Sequence, residues 1–208
     1  MSKFYLLKIT LNNVTPSIWR TFVVPADISL DRLHDVIQIV MGWDDSHLHQ
    51  FTFKKRVFTE FPSSAEDEDE SEVRLSELLK KRKNTLTYTY DFGDDWEHTL
   101  FLEDSDFKPE DPNILYECFA GENACPPEDC GGSYQYQRMI DAMNDPKKNQ
   151  KDFEEFSEVL DLAEEVTLND FKQFIRFFDA DAVTSALMLY ARWSRERPLP
   201  LFNDESFY

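Results

Sequence analysis

The residues able to do chemistry collect in three short stretches. CFAGENACPPEDCGG, residues 118–132, holds every cysteine of the chain, Cys118, Cys125 and Cys130. HLHQF, residues 47–51, sets His47 and His49 two positions apart, and DFGDDWEH, residues 91–98, crowds Asp91, Asp94, Asp95, Glu97 and His98 around one glycine. Structural zinc takes about four thiolate or imidazole ligands, usually from Cys-x2-4-Cys knuckles whose tight turn aims two sulfurs at one point. The spacing here is Cys-x6-Cys-x4-Cys, so a zinc site on Cys118, Cys125 and Cys130 would draw its fourth ligand from His47, His49 or His98. The competing reading is conformational. Pro126 and Pro127 stiffen an extended path, Gly131 and Gly132 free the backbone, and thiols can serve as small apolar fillers. Redox catalysis ranks last, because Glu122, Glu128 and Asp129 surround the thiols with negative charge and disfavour the thiolate.

The DFGDDWEH stretch admits a second chemistry. Carboxylates with an imidazole can hold Mg²⁺ or Mn²⁺ for phosphate-ester hydrolysis, with Asp94, Asp95 and His98 as the catalytic candidates. A Gly/Asp-rich tight turn is equally what a hairpin prefers, and strand alternation sets His98 beside Leu100 and Leu102, toward a packed face. Its DFG triplet lacks the glycine-rich loop and HRD segment of a protein kinase. His47 and His49, on one side of a strand, could chelate a metal or form a hydrogen-bonded, half-buried pair. His34 lies beside an apolar helical stripe and is expected to pack there. Arg20, isolated among apolar residues, is expected to pair with Asp94 or Asp95. Trp19, Trp43 and Trp96 are expected in the core. An exposed tryptophan would be a partner anchor instead, which makes Arg20, Trp43 and Trp96 the binding candidates.

Periodicity outlines the elements that must position these groups. Tyr5, Leu7, Ile9 and Leu11 alternate over 4–11, residues 17–24 form a second strand, and NNVTPS joins them as a hairpin. From Ser29 as N-cap, Leu30, Leu33, Ile37 and Val40 recur at helical spacing until Gly42. HLHQFTF places His47, His49, Phe51 and Phe53 on one face, and RVFTEF returns antiparallel. SSAEDEDESE, residues 63–72, reads as a solvated acidic loop. LTYTYDF and WEHTLFLE form a hairpin around Gly93, Asp94 and Asp95, with Leu86, Tyr88, Tyr90 and Phe92 sharing a side. Helices follow: one capped by Ser133 with stripe Tyr136, Met139, Ile140 and Met143, and one marked by Phe153, Phe156, Leu160 and Ala163. A third opens on a Thr167–Asp170 capping box and carries Leu168, Phe171, Phe174, Ile175 and Phe178. Val183, Ala186, Leu187, Tyr190 and Trp193 mark a fourth.

These elements predict an α+β fold: a mixed sheet crossed by one helix in β-β-α-β-β order, β-grasp-like, with a helical C-terminal half. The expected division is 1–104 as the sheet core, 105–132 as connector and Cys/Pro/Gly loop, 133–196 as helices packed on or beside the sheet, and 197–208 as an irregular tail. With 41% hydrophobic residues and 18 phenylalanines among 208 positions, the chain can fill one large aromatic core. Its formal charge of −19 repels phosphate backbones and anionic membrane surfaces, so direct nucleic-acid binding is disfavoured. No run approaches the roughly 18 to 20 apolar residues of a membrane helix. An odd cysteine count, with no signal peptide, points to a reducing cytoplasm.

Four motifs in order, IWR at 18–20, MGWDDSHLHQF at 41–51, YTYDFGDDWEH at 88–98 and CPPEDCGG at 125–132, resemble the plasmid pRiA open-reading-frame-three-like family, also labelled transposon passenger TnpR-like proteins. The likeness runs from about Phe4 to Trp193, with the acidic run at 63–72 as a local elaboration. It implies an α+β fold and no established reaction. No complete nucleophile, base and oxyanion set stands in the sequence, so the expected function is a non-enzymatic binding or adaptor module with a protein partner. The alternatives are a metal-dependent hydrolase built on the DFGDDWEH hairpin and the cysteine loop, and a mobile-element accessory protein.

Overall fold

The computed structural model describes residues 3–111, 113–161 and 168–196. Its strands are β1 (Phe4–Leu11), β2 (Trp19–Pro25), β3 (His49–Phe53), β4 (Arg56–Thr59), β5 (Asp67–Asp69), β6 (Thr85–Tyr90), β7 (Trp96–Phe107) and β8 (Glu117–Glu122). Helices α1 (Leu30–Met41) and α2 (Leu75–Leu78) interrupt them, and α3 (Gly132–Asn144), α4 (Gln150–Asp161), α5 (Leu168–Phe174) and α6 (Ala180–Glu196) follow. The fold is α+β. One eight-stranded sheet runs β5-β4-β3-β6-β7-β1-β2-β8, antiparallel throughout except for the parallel β4/β5 pair.

Alternation decides which face is buried. Tyr5, Leu7, Ile9 and Leu11 of β1 and Leu86, Tyr88 and Tyr90 of β6 point to one core. Leu30, Leu33, Ile37 and Val40 of α1 close that core from above. Removing each such side chain from water stabilises the fold by about 1.5 to 3 kcal/mol, so Ile37→Asp would unseat the helix. Gly42, at φ 97°, ends α1 in the left-handed region and returns its N–H to the Gln38 carbonyl at 2.8 Å.

Several expectations need correction. Ser29 does stand at the N-cap of α1, but its side chain makes no cap bond. Ser133 is not the cap of α3, which starts a residue earlier after Gly131 at φ 89°. Phe92 is exposed: β6 ends at Tyr90, and Asp91, at φ 57°, breaks the alternation. The acidic run 63–72 is largely exposed, but it is not a loop throughout. Asp67–Asp69 form β5, Arg56 pairs with Glu68 at 2.6 Å, and the Glu70–Glu72 turn carries Glu70 inward until only 2% of it is exposed. Burial there is possible because His49 meets the Glu70 carboxylate at 2.9 Å.

Strand β7 continues past residue 104, and segment 105–132 contributes β8, which lies antiparallel to β2. The outer side of β8 meets α6, where Thr184 Oγ1 accepts from the Cys118 N–H at 3.0 Å and donates to the Cys118 carbonyl at 3.1 Å. Helices α3 and α4 join a smaller cluster of Ala142, Met143, Phe156 and Ile175. In α6, Leu187 is buried while Ala186 and Trp193 are exposed. Ala163, Thr167 and the tail 197–208 lie outside the described residues, as do the side chains of Leu160, Leu168 and Phe171.

Candidate cation site

Three loops converge at the edge of the core where α1 and β6 end and β3 begins. The first is 43–48, after Gly42. The second is 91–95, where the Asp91 N–H reaches the Leu48 carbonyl at 2.9 Å and the Asp95 N–H returns to the Asp91 carbonyl at 2.7 Å. The third is the Pro/Gly segment before α3. Gly131 donates its N–H to Asp94 Oδ2 at 3.0 Å. At Gly132, φ is 74° and a Cβ would collide with the Asp94 carbonyl oxygen, so only glycine lets the two loops lie this close.

Asp91 and Glu128 each spend one oxygen on the protein and keep the other, while Asp129 reaches in from an exposed position. Asp91 Oδ1 accepts from the Gly93 N–H at 2.8 Å. Glu128 Oε1 accepts from the Asp44 N–H at 2.8 Å and from the Tyr90 hydroxyl at 3.0 Å. The remaining oxygens face His47: its Nε2 is 3.8 Å from Asp91 Oδ2, 3.8 Å from Glu128 Oε2 and 3.2 Å from Asp129 Oδ1. His47 Nε2 and Glu128 Oε2 are buried atoms without a hydrogen-bond partner among the described residues. Donor atoms of His47, Asp91 and Asp129 lie within 4.8 Å of one another, with Glu128 approaching His47 from another side. Ligands on bonds of roughly 2.1 Å stand about 3 Å apart when adjacent on an octahedron and about 4.2 Å when opposite, so these separations suit a small divalent ion. Asp91 and Asp129 both hold left-handed backbone angles, φ 57° and 55°, conformations that Asp tolerates better than most residues.

Two positions from His47, the imidazole of His49 goes elsewhere. His49 Nε2 meets both Glu70 oxygens at 3.0 and 2.9 Å, and its ring stacks on His34 with centroids 3.5 Å apart and planes 4° off parallel. His34 binds Asp45 Oδ1 at 2.8 Å through Nε2 and the Tyr88 hydroxyl at 2.8 Å through Nδ1. Gln38 Nε2 donates to the same hydroxyl at 2.8 Å, which steadies the ring that bonds Asp45. The bond holds the Asp45 carboxyl below its usual range. His47 and His49 therefore do not share a site, because β3 begins only at His49 and the chain before it turns, with Asp45 at φ 54°.

The other sequence candidates separate. His98 is fully buried, receives a 3.4 Å contact from Trp43 Nε1, and is pushed down to about 4 by desolvation. Asp94 docks the third loop, and Asp95 is exposed. Cys118, Cys125 and Cys130 are free thiols, and among the described residues no cysteine joins a cluster of three ligand atoms. Burial raises all three, Cys118 to about 11 and Cys130 to about 12, which keeps them protonated near neutrality. Arg20 does not pair with Asp94 or Asp95. Its guanidinium is buried against Phe178 at 4.0 Å and donates to the carbonyls of Val40, Trp19 and Glu122, where the C-terminal dipole of α1 favours a cation. Gly121 leaves room for that stack, since a Cβ would meet both Phe178 and Arg20. Trp96 is wholly buried and Trp43 nearly so, and neither protrudes as an anchor. Asp91, Glu128 and Asp129 were visible in the quoted motifs. Only their convergence was hidden.

Comparisons with known proteins bear on the family and the fold. The family described as Plasmid pRiA4b ORF-3-like protein matches residues 3–183. Uncharacterized protein y4hQ of Sinorhizobium fredii (strain NBRC 101917 / NGR234) is 38% identical over 146 residues, 67% of this chain and 73% of the relative. The crystal structure of the protein of unknown function MM3350 from Methanosarcina mazei Go1 superposes with a TM-score of 0.68 at 28% identity, covering 88% of this chain and 98% of that one. With its sheet, crossing helix and clustered motifs accounted for, the chain belongs to the plasmid pRiA4b ORF-3-like family.

Proposed function

We propose that the protein is a binding module organised around one divalent metal ion held by His47, Asp91, Glu128 and Asp129. The observation that carries this reading is the pair of buried, unpartnered atoms, His47 Nε2 and Glu128 Oε2, facing each other at 3.8 Å. His47 Nε2 stands 3.2 to 3.8 Å from three carboxylate oxygens and closes on none of them at the 2.8 Å by which His34 meets Asp45. One imidazole among carboxylate oxygens suits Mn²⁺, between the nitrogen-favouring and oxygen-favouring metals. Three carboxylates around a doubly charged ion weaken it as a Lewis acid, and none of their ion pairs among the described residues involves Lys or Arg that would receive a phosphate. The ion therefore serves to tie three loops into one recognition surface, and the favoured partner is a protein.

Calorimetric titration with Mn²⁺ tests this. One ion per chain is expected, weakened at least about tenfold, or about 1.4 kcal/mol, in His47→Ala and Asp91→Asn. Absence of stoichiometric binding would sink the reading. Mn²⁺-dependent phosphodiester cleavage that disappears in Asp91→Asn would keep the metal and overturn the non-catalytic role.

A further inference from the structure

A second cavity, of about 320 Å³, opens between α1 and α6 on the other side of loop 43–45. Aromatic surface lines it from Trp43, Tyr190 and Trp193, the last 63% exposed, and carboxylates from Asp35, Asp44 and Asp45. The carboxylates are only partly used. Asp35 Oδ2 accepts from the Tyr190 hydroxyl at 2.7 Å and Asp45 Oδ1 binds His34, which leaves Asp35 Oδ1, Asp45 Oδ2 and both Asp44 oxygens without a hydrogen bond among the described residues. Among the described residues one cation faces them, Arg32, and it is held loosely, 3.4 Å from the Tyr190 hydroxyl and 3.6 Å from Asp35 Oδ2.

We propose that this cavity binds an organic cation, a guanidinium or alkylammonium head group, with its charge on Asp44 and Asp45 and its face or methylenes against Trp43 and Trp193. Aromatic faces attract cations through the ring quadrupole, and carboxylates fix their direction. The volume lies at the lower end of small-ligand sites, enough for a head group and a few carbons. Burial raises the Asp35 carboxyl despite Tyr190 and Arg32, the behaviour of an acid with too little positive charge nearby. The chain's net charge of −19 draws cations toward the cavity and repels anions. This site shares no ligand with the metal site. The two are linked by the Asp44 backbone N–H on Glu128, which an asparagine keeps, and by Trp43 packed on Tyr90, whose hydroxyl donates to Glu128.

Calorimetry on the full chain with N-acetyl-arginine amide and, separately, spermidine tests the proposal, with acetate as the anionic control. Saturable binding of at least one cation is expected, weakened about tenfold in Asp44→Asn and in Trp193→Ala and declining with added salt. Both substituted side chains are exposed, so the variants fold independently of the result. Stronger binding of spermidine assigns the cavity to free polyamines, and stronger binding of the arginine derivative to a basic side chain of a partner. No saturation below about 10 mM with either cation, or equal affinity in both variants, overturns the proposal.

Discussion

His47 and His49 leave the same short segment and end in opposite circumstances. At His49 every approach is closed: the imidazole meets Glu70 at 2.9 Å, stacks on His34, and His34 in turn is fixed by Asp45 and by Tyr88 with Gln38 behind it. At His47 the carboxylates stop at 3.2 to 3.8 Å, and backbone N–H groups hold the second oxygens of Asp91 and Glu128 so that their other oxygens face the imidazole. Acid–imidazole pairs thus serve two ends in one protein. Contact distance, with satisfied outer atoms, marks a joint that holds elements together. A gap lined by unsatisfied atoms marks a place for a guest.

The largest test of that contrast is Glu70→Ala. It leaves His49 buried without its partner and should cost about 3 to 4 kcal/mol in denaturant unfolding, while Mn²⁺ affinity at His47 stays within about twofold. A smaller effect comes from His98, the imidazole with no carboxylate at all. Its folded pKa is depressed to about 4, so the unfolded chain takes the proton first. Stability is then complete above about pH 6.5, falls by on the order of 3 kcal/mol as pH drops toward about 4, and changes little below that from this group. In His98→Gln that part of the slope should vanish. Gly132→Ala should cost about 2 kcal/mol from the left-handed backbone alone. Because it pushes the third loop off Asp94, it should abolish Mn²⁺ binding while the His34–His49 imidazole signals in NMR remain in place. The smallest effect has the opposite sign. Asp91→Asn keeps the oxygen that accepts from Gly93 and removes one of three crowded charges, so the metal-free protein should gain up to about 1 kcal/mol. An Asp91→Asn protein that is destabilised by several kcal/mol would show the His47 cluster to be a joint like the other.

Much of this was legible from spacing. The alternation of β1 and β6, the stripe of α1 and its stop at Gly42 depend on neighbours a few positions away, and the chain states them directly. Glu70 was not legible, because the five other acidic residues of its run suit water and only a histidine 21 positions upstream makes its burial tolerable. Nor was the parity of His47 and His49, since one turn at Asp45 cancels the strand alternation that would have paired them. Strand β8 was hidden within the cysteine loop because glycine and acidic residues are poor strand formers, and tertiary pairing with β2 overrides that preference. Arg20 misled for a related reason: the sequence displays acids, whereas main-chain carbonyls at the end of a helix cannot be seen in it.

Thr184 gives the sheet an unusual border. A final strand normally offers its vacant amides to any chain that can lie alongside, the route by which sheets grow into fibrils. Here a single hydroxyl fills both bonding positions of Cys118, with α6 standing where an incoming segment would have to lie. At the far border β5 is three residues long and wholly acidic, so identical copies repel one another there. Both margins are thus guarded against a further strand, one by a covering helix and the other by its own charge.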